Sequence, residues 1–372
     1  MMVCVHVVVL AFLATVIMTV MVDGTSDKAV TCIDADGTPV DWYIVYKLPK
    51  DKHSSIPQVR EGYAQMYMDV NNPVLKLSDV WLNDTNHAIA NTLQQIYKNS
   101  KELAYLMYND ELPDSLHKSE YYGHTKGDLA FDETSGFWLV HSTPRFPSNT
   151  SMRYNWPDSA RTYGQSFLCV TYGHDQFEDI GKQLMYNHPW VYDSNLPPRL
   201  VSDTPSIVDA AQKKHVTCAP WNRTVFLTSV GGQRFVSFAK ASRFGKDLYA
   251  AWLAPYFHSD LYAETWQNGP NKLNSSCVKG QTVNNVKTLN LIGGEAFKET
   301  TDHSKWAVTP DEGMDWTCIG DINRQCHQMY RGGGTVCFEN ADVNKVFVDA
   351  VTGIHQCPEE THCYQSSFWT GF

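Results

Sequence analysis

A chain of 372 residues is long enough for one large domain or two ordinary ones, and 43% hydrophobic residues with 11 Trp and 19 Tyr exclude a disordered chain. The formal net charge of −10 argues against nucleic-acid binding at neutral pH. The 14 His weaken that exclusion in acid, because their protonation below about pH 6.5 would carry the chain toward positive charge.

Residues Val3 to Val22 are almost wholly apolar and are followed by Asp23-Gly24. We read residues 1–24 as a secretory signal peptide cleaved near Gly24; the alternative is an uncleaved anchor, since the run could span a bilayer. Of the ten Cys, Cys4 lies in this leader, and nine remain for an oxidising compartment. None has the C-x-x-C spacing of a zinc or redox site, and no metal or other cofactor is expected. Sequons at Asn83, Asn149, Asn222 and Asn274 predict glycosylated surface positions.

Trp42 to Leu48 reads as a buried strand, and Asn86 to Asn99 as a helix with Ile89, Leu93 and Ile96 on one face. Leu103 to Tyr108 predicts a strand. Leu129-Ala-Phe131 and Gly136 to Ser142 predict a strand pair joined by the turn 132–135. His141 ends the second of these, where the ordinary reading is a hydrogen-bonded core His. Tyr163 to Val170 reads as strand. The Pro-rich stretch Asn195 to Ser206 divides the mature chain into halves at 25–200 and 201–372. The second half predicts a strand at Phe235 to Ala239, a helix from about Lys246 to Ala254 and a polar loop from Ser275 to Thr288. A tight turn at Arg331 enters a strand near Cys337, a helix covers Val343 to Val351, and the tail from Cys357 is irregular.

Two short stretches carry the chemistry: Gly123-His124-Thr125-Lys126-Gly127 and Asp302-His303-Ser304-Lys305-Trp306. Each sets a His two residues before a Lys, and on extended backbone residues i and i+2 share a face. An imidazole can attack phosphorus or pass a proton, and an ammonium can hold a phosphate oxygen. Brought together, the two pairs would form a phosphodiesterase site that needs no metal.

Six stretches, in the same order, resemble the deoxyribonuclease II family across nearly the whole mature chain. They are Asp41 to Pro49, Gly123 to Gly127, Gly136 to Ser142, Phe238 to Tyr249, Asp302 to Trp306 and Arg331 to Thr335. The resemblance implies a metal-independent acid endonuclease that cuts double-stranded DNA to 3′-phosphate and 5′-hydroxyl ends. It implies a phospholipase D-like α/β fold: two pseudo-symmetric halves with mixed central sheets in one globular unit, the active site on the pseudo-two-fold axis. By the same likeness, His124, Lys126, His303, Lys305 and His141 are the catalytic residues, and Asp321 and Asn323 support the second pair. The implied disulfides are Cys32–Cys169, Cys277–Cys357 and Cys318–Cys337, each contributing about 3–5 kcal/mol in the chain-entropy model. No partner carries over for Cys218, Cys326 or Cys363. Ala307 replaces a Cys of mammalian members. The phospholipase D spacing would place Asp at positions held by Phe131 and Pro310; Asp132 and Asp311, one residue later, read as exposed turn carboxylates. The expected address is the lysosome through the secretory pathway, with a role in DNA degradation, or else secretion as an extracellular or venom nuclease. Once the leader is removed no stable membrane association is expected, and the protein is a monomer with an internal pseudo-dimer or else a homodimer. Rival readings are a lipid phosphodiesterase of phospholipase D type and a catalytically dead binding protein.

Overall fold

All six residues of the strand Trp42–Lys47 (WYIVYK) are buried, as a run of aromatic and β-branched residues covered on both faces requires. This strand is interior to an eight-stranded sheet. The spatial order is Val191–Asn195, Ala104–Asn109, Lys126–Phe131, Ser135–His141, Gln165–Gly173, Trp42–Lys47, Gln65–Asp69 and Asn72–Leu77. A second sheet runs Asn222–Thr228, Arg234–Lys240, Gly333–Glu339, Trp316–Gly320, Trp306–Val308, Leu261–Glu264, Val283–Asn290 and Ala296–Lys298, with Val351–Ile354 also paired to Val283–Asn290. This computed structural model describes residues 29–356 except 114, 116, 270 and 292–295; the expected leader, Cys357, Cys363 and the tail lie outside the described residues.

The two sheets face each other across one core. Trp42, Ile44 and Tyr46 of the first pack with Trp306, Val308 and Phe338 of the second, the Trp42 and Phe338 rings having centroids 5.3 Å apart. Helices Phe177–Asn187 and Ala341–Ala350 add Phe177, Leu184, Val343 and Phe347 to this layer. The helix Ala88–Asn99 covers the far side of the first sheet with Ile89, Leu93 and Ile96, the face expected from their spacing. Leu253, Ala254 and Phe257 cover the far side of the second. Burying each fully covered aliphatic or aromatic side chain contributes about 1.5–3 kcal/mol, so the shared core binds the two sheets into one unit.

The fold is mixed α/β. The second sheet contains one parallel pair, Leu261–Glu264 with Val283–Asn290. The first departs from the expected mixed sheet: every one of its pairings is antiparallel. Two of its connections, 70–71 and 132–134, are short turns that leave no room for a parallel crossover. Ser275 to Thr288 is not all loop, since Val283–Asn290 is a strand. Its polar character concealed it: Asn285 is buried, donates to the Leu273 carbonyl (2.8 Å) and accepts from Arg324. The helix expected near Lys246 to Ala254 is a π-turn over Tyr249–Leu253 leading into Ala254–Phe257. Pro255 lacks the N–H that an α-helical ladder would direct to Ala251.

Cys32–Cys169 and Cys318–Cys337 are bonded as expected. Cys277 is disulfide-bonded too, though its expected partner Cys357 lies outside the described residues; Cys326 is also bonded, and Cys218 is free and exposed. Asn83 is exposed, while Asn149, Asn222 and Asn274 are half-buried. Asp132 and Asp311 are turn carboxylates, accepting from Ser135 N–H (2.9 Å) and Asp260 N–H (3.1 Å) respectively. Among the described residues no helix is long and apolar enough to cross a membrane.

Candidate active site

Both His-x-Lys motifs stand at the entry of a strand rather than inside one. Lys126 opens Lys126–Phe131, and Lys305 immediately precedes Trp306–Val308. Each is held by the opposite half of the chain. The His124 N–H donates to the Gly332 carbonyl and the His303 N–H to the Gly164 carbonyl, both at 2.9 Å. These approaches need glycine: a Cβ on Gly332 would meet the Asn187 carbonyl at 2.4 Å, and one on Gly164 would meet Asp302 Oδ1 at 2.3 Å. The result is one cleft of ≈ 330 Å³ lined by His124, Lys126, His303 and Lys305, together with Asp110, Trp266, Asn323, Gln325 and Arg331.

The first pair is set in ionic surroundings. Asp110 Oδ1 pairs with Lys126 Nζ, and its Oδ2 with Arg331 Nη2 at 3.0 Å. Burial alone would raise the Asp110 pKa, but Lys126, His124 and Arg331 outweigh it and hold the carboxyl below its ordinary range. Arg331 also donates to the carbonyls of Ser119 (2.9 Å) and Gly123 (3.1 Å), fixing the loop before His124. His124 Nδ1 is hydrogen-bonded to the Asp321 carbonyl. A carbonyl only accepts, so Nδ1 carries the proton and Nε2 keeps a lone pair. Burial first, and Lys126 second, lower the His124 pKa well below 6.5.

The second pair is set among rings. Tyr163 stacks on His303 with centroids 4.1 Å apart and planes 4° from parallel, and Trp266 meets the same imidazole edge-on at 3.8 Å. Burial, then Lys305 and Lys126, lower the His303 pKa to about 2. His303 Nε2 is buried with no hydrogen-bond partner among the described residues. Lys305 Nζ donates to the His303 carbonyl, and its amine is lowered to about 7 by burial and then by Lys126. Behind it, Asp302 is fully buried against the Tyr46 hydroxyl and Ser304. Glu264, also fully buried, is pushed well above the usual carboxyl range by desolvation and then by Asp302.

The remaining expected residues divide. Asn323 reaches the second pair, since its Oδ1 accepts the Trp266 N–H at 3.1 Å. Asp321 serves both: its carbonyl takes the His124 ring proton, and its carboxylate favours the charge on Lys305. That carboxyl accepts the Gly334 N–H (2.9 Å), and burial raises its pKa to about 6. His141 is not in the cleft. It is buried and stacked on Phe167 at 5.3 Å, with Nε2 3.5 Å from Asp128 Oδ2 and Nδ1 accepting the Thr143 N–H. Burial, then Lys126, lower its pKa to about 3.

Sequence reasoning missed Asp110, Tyr163 and Trp266, and it gave Arg331 no role. An acid at the end of an apolar strand was the only signal for Asp110, and nothing in the chain places Tyr163 or Trp266 beside a ring 140 or 37 positions away.

Two imidazoles, two lysine amines and a guanidinium around one cleft are groups suited to phosphoryl transfer: a ring nitrogen with a free lone pair and cations for the phosphate oxygens. The family model for deoxyribonuclease II matches residues 31–357. Plancitoxin-1 of Acanthaster planci is 58% identical over 354 residues, covering 94% of this chain and 99% of that protein. Deoxyribonuclease-2-alpha of Mus musculus is 41% identical over 338 residues (89% and 95%), and deoxyribonuclease-2 of Caenorhabditis elegans is 37% identical over 347 (86% and 92%). The chain belongs to the deoxyribonuclease II family of enzymes.

Proposed function

We propose that the protein is an acid endodeoxyribonuclease that hydrolyses double-stranded DNA without a divalent metal, leaving 3′-phosphate and 5′-hydroxyl ends. The observation that carries this reading is the shared cleft, in which His124 Nδ1 is tied to the Asp321 carbonyl. His124 Nε2 attacks phosphorus, the P–O5′ bond breaks, and O5′ takes a proton from the His303 imidazolium. The intermediate is a phosphohistidine. Water then attacks phosphorus and gives a proton to neutral His303, the N–P bond breaks, and the 3′-phosphate leaves with His124 restored. Lys126 and Lys305 hold the non-bridging oxygens as charge develops on them. His141, with Asp128, backs Lys126 from the core and acts by positioning.

The pH dependence follows from the environments. The reaction needs His124 neutral and His303 protonated, and burial lowers both pKa values. The bound phosphodiester anion restores part of the His303 basicity, so the working pKa stays below the ordinary 6.5 and activity falls as pH rises through it. The order of elements supports a duplicated, phospholipase D-like architecture with halves near 25–200 and 201–372. The strands Ala104–Asn109, Lys126–Phe131, Ser135–His141, Gln165–Gly173 and Trp42–Lys47 lie side by side in the same order as Leu261–Glu264, Trp306–Val308, Trp316–Gly320, Gly333–Glu339 and Arg234–Lys240. We place the protein in the lysosome, with secretion as the alternative destination.

The test is plasmid nicking across pH in EDTA with end-group analysis of the products. Acid-dependent nicking with 3′-phosphate ends is expected. Loss of activity in EDTA defeats the metal-free mechanism, and 5′-phosphate ends defeat cleavage of the P–O5′ bond.

A further inference from the structure

Two lysines outside the cleft share an environment that the reaction does not use. Lys47 is the last residue of Trp42–Lys47, and Lys240 is the last of Arg234–Lys240. In the ladders Lys47 lies opposite Gln165, and Lys240 opposite Gly333. The residue before each partner is a glycine, Gly164 or Gly332, and these two carbonyls accept the N–H groups of His303 and His124. Both lysines are wholly inaccessible. Lys47 Nζ donates to the carbonyls of Arg161 and Tyr163, the latter at 2.7 Å. Lys240 Nζ donates to the carbonyls of Gln328 (2.9 Å), Met329 (3.2 Å) and Arg331.

A buried ammonium is costly, and an apolar side chain would fill the same space without that cost. What the ammonium adds is convergence. Its several N–H donors draw main-chain oxygens of one loop toward a single point. The two loops hold cleft residues: Tyr163 stacks on His303, and Arg331 pairs with Asp110 beside Lys126. The arrangement is crossed, because each lysine sits in the half opposite the imidazole that its loop supports.

We propose that Lys47 and Lys240 are positioning residues: each gathers the carbonyls of one loop, so that the adjoining glycine carbonyl holds the main-chain N–H of the reacting histidine of the other half. Lys47 thereby serves His303 and Lys240 serves His124. This rests on the reading of His124 as nucleophile and His303 as acid.

The two roles separate by leaving group. On DNA the departing O5′ needs a proton, whereas the 4-nitrophenolate of thymidine 3′-(4-nitrophenyl phosphate) leaves without one. Lys47→Met should lower kcat on DNA by about 100-fold, with KM changed by less than about twofold, yet lose under about tenfold on the nitrophenyl ester. Lys240→Met should lose a similar factor on both substrates. Where a Met variant does not fold, the Gln variant, which keeps two N–H donors on a shorter stem, should show the same pattern with a smaller loss. His303→Ala and His124→Ala run alongside. Absence of the split in His303→Ala overturns the assigned roles and the proposal with them. A split in His303→Ala without one in Lys47→Met, or unchanged kcat in either lysine variant, overturns the positioning role alone.

Discussion

The two His-x-Lys motifs have the same spacing but opposite surroundings. Around His124 the neighbours are ionic: Lys126, Asp110 and Arg331, with the ring proton fixed by the Asp321 carbonyl. Around His303 they are aromatic: Tyr163 on one face and Trp266 on an edge. An ionic cage fixes direction, which a nucleophile needs. An aromatic cage withholds water, which makes an imidazolium a stronger acid. Near-equal sequence motifs are thus given different surroundings by what both parts of the chain pack against them.

Substitutions at the two rings test that contrast most severely. His124→Ala and His303→Ala should each lower the DNA cleavage rate by a factor on the order of 10⁴ or more at acid pH, read as plasmid nicking in EDTA. Robust nicking by either variant removes the two-histidine site. Next in size is the ionic cage. Asp110→Asn releases Lys126 and Arg331 together and should reduce kcat by about 100-fold through misplacement. The same change should leave the alkaline limb of the pH–rate profile in place, because His303 keeps its rings. Tyr163→Leu should do the reverse: a smaller loss of rate, with the alkaline limb moved toward neutral pH as His303 regains solvent. An unmoved limb would mean that the ring only fills space.

The smallest expected effect concerns stability. Asp128 is wholly buried, and burial holds its carboxyl pKa well above the usual value. The folded chain therefore keeps a proton that the unfolded chain releases above about pH 3.9, so this residue's contribution to stability falls as pH rises from there. Asp128→Asn cannot ionise. Its melting temperature should exceed that of the parent at neutral pH, with a difference that shrinks toward pH 4. A constant difference across that range would show that Asp128 is already ionised in the folded state.

Several parts of the molecule were legible without coordinates. The helix Ala88–Asn99 announced itself because Ile89, Leu93 and Ile96 repeat at helical spacing and face the core. The strand Trp42–Lys47 did so because six residues with only a terminal Lys among apolar side chains must be covered on both faces. The strand Val283–Asn290 did not, because the buried side chain of Asn285 is satisfied by Leu273 and Arg324, and no local pattern announces such partners.

The amino-acid order alone determined which groups could react: two imidazoles, each two residues from an amine, on backbone extended enough to turn both the same way. It did not determine their relation. That they meet depends on His124 bonding to Gly332 and His303 to Gly164, contacts that exist only when the two sheets close on their common core. Nor could it assign their protonation, since desolvation by Tyr163 and Trp266 and the charge of Lys126 on a distant motif are properties of the packed interior. Chemical identity is carried residue by residue along the chain, whereas distance and dielectric surroundings arise only from folding, and these are what distinguish two like motifs.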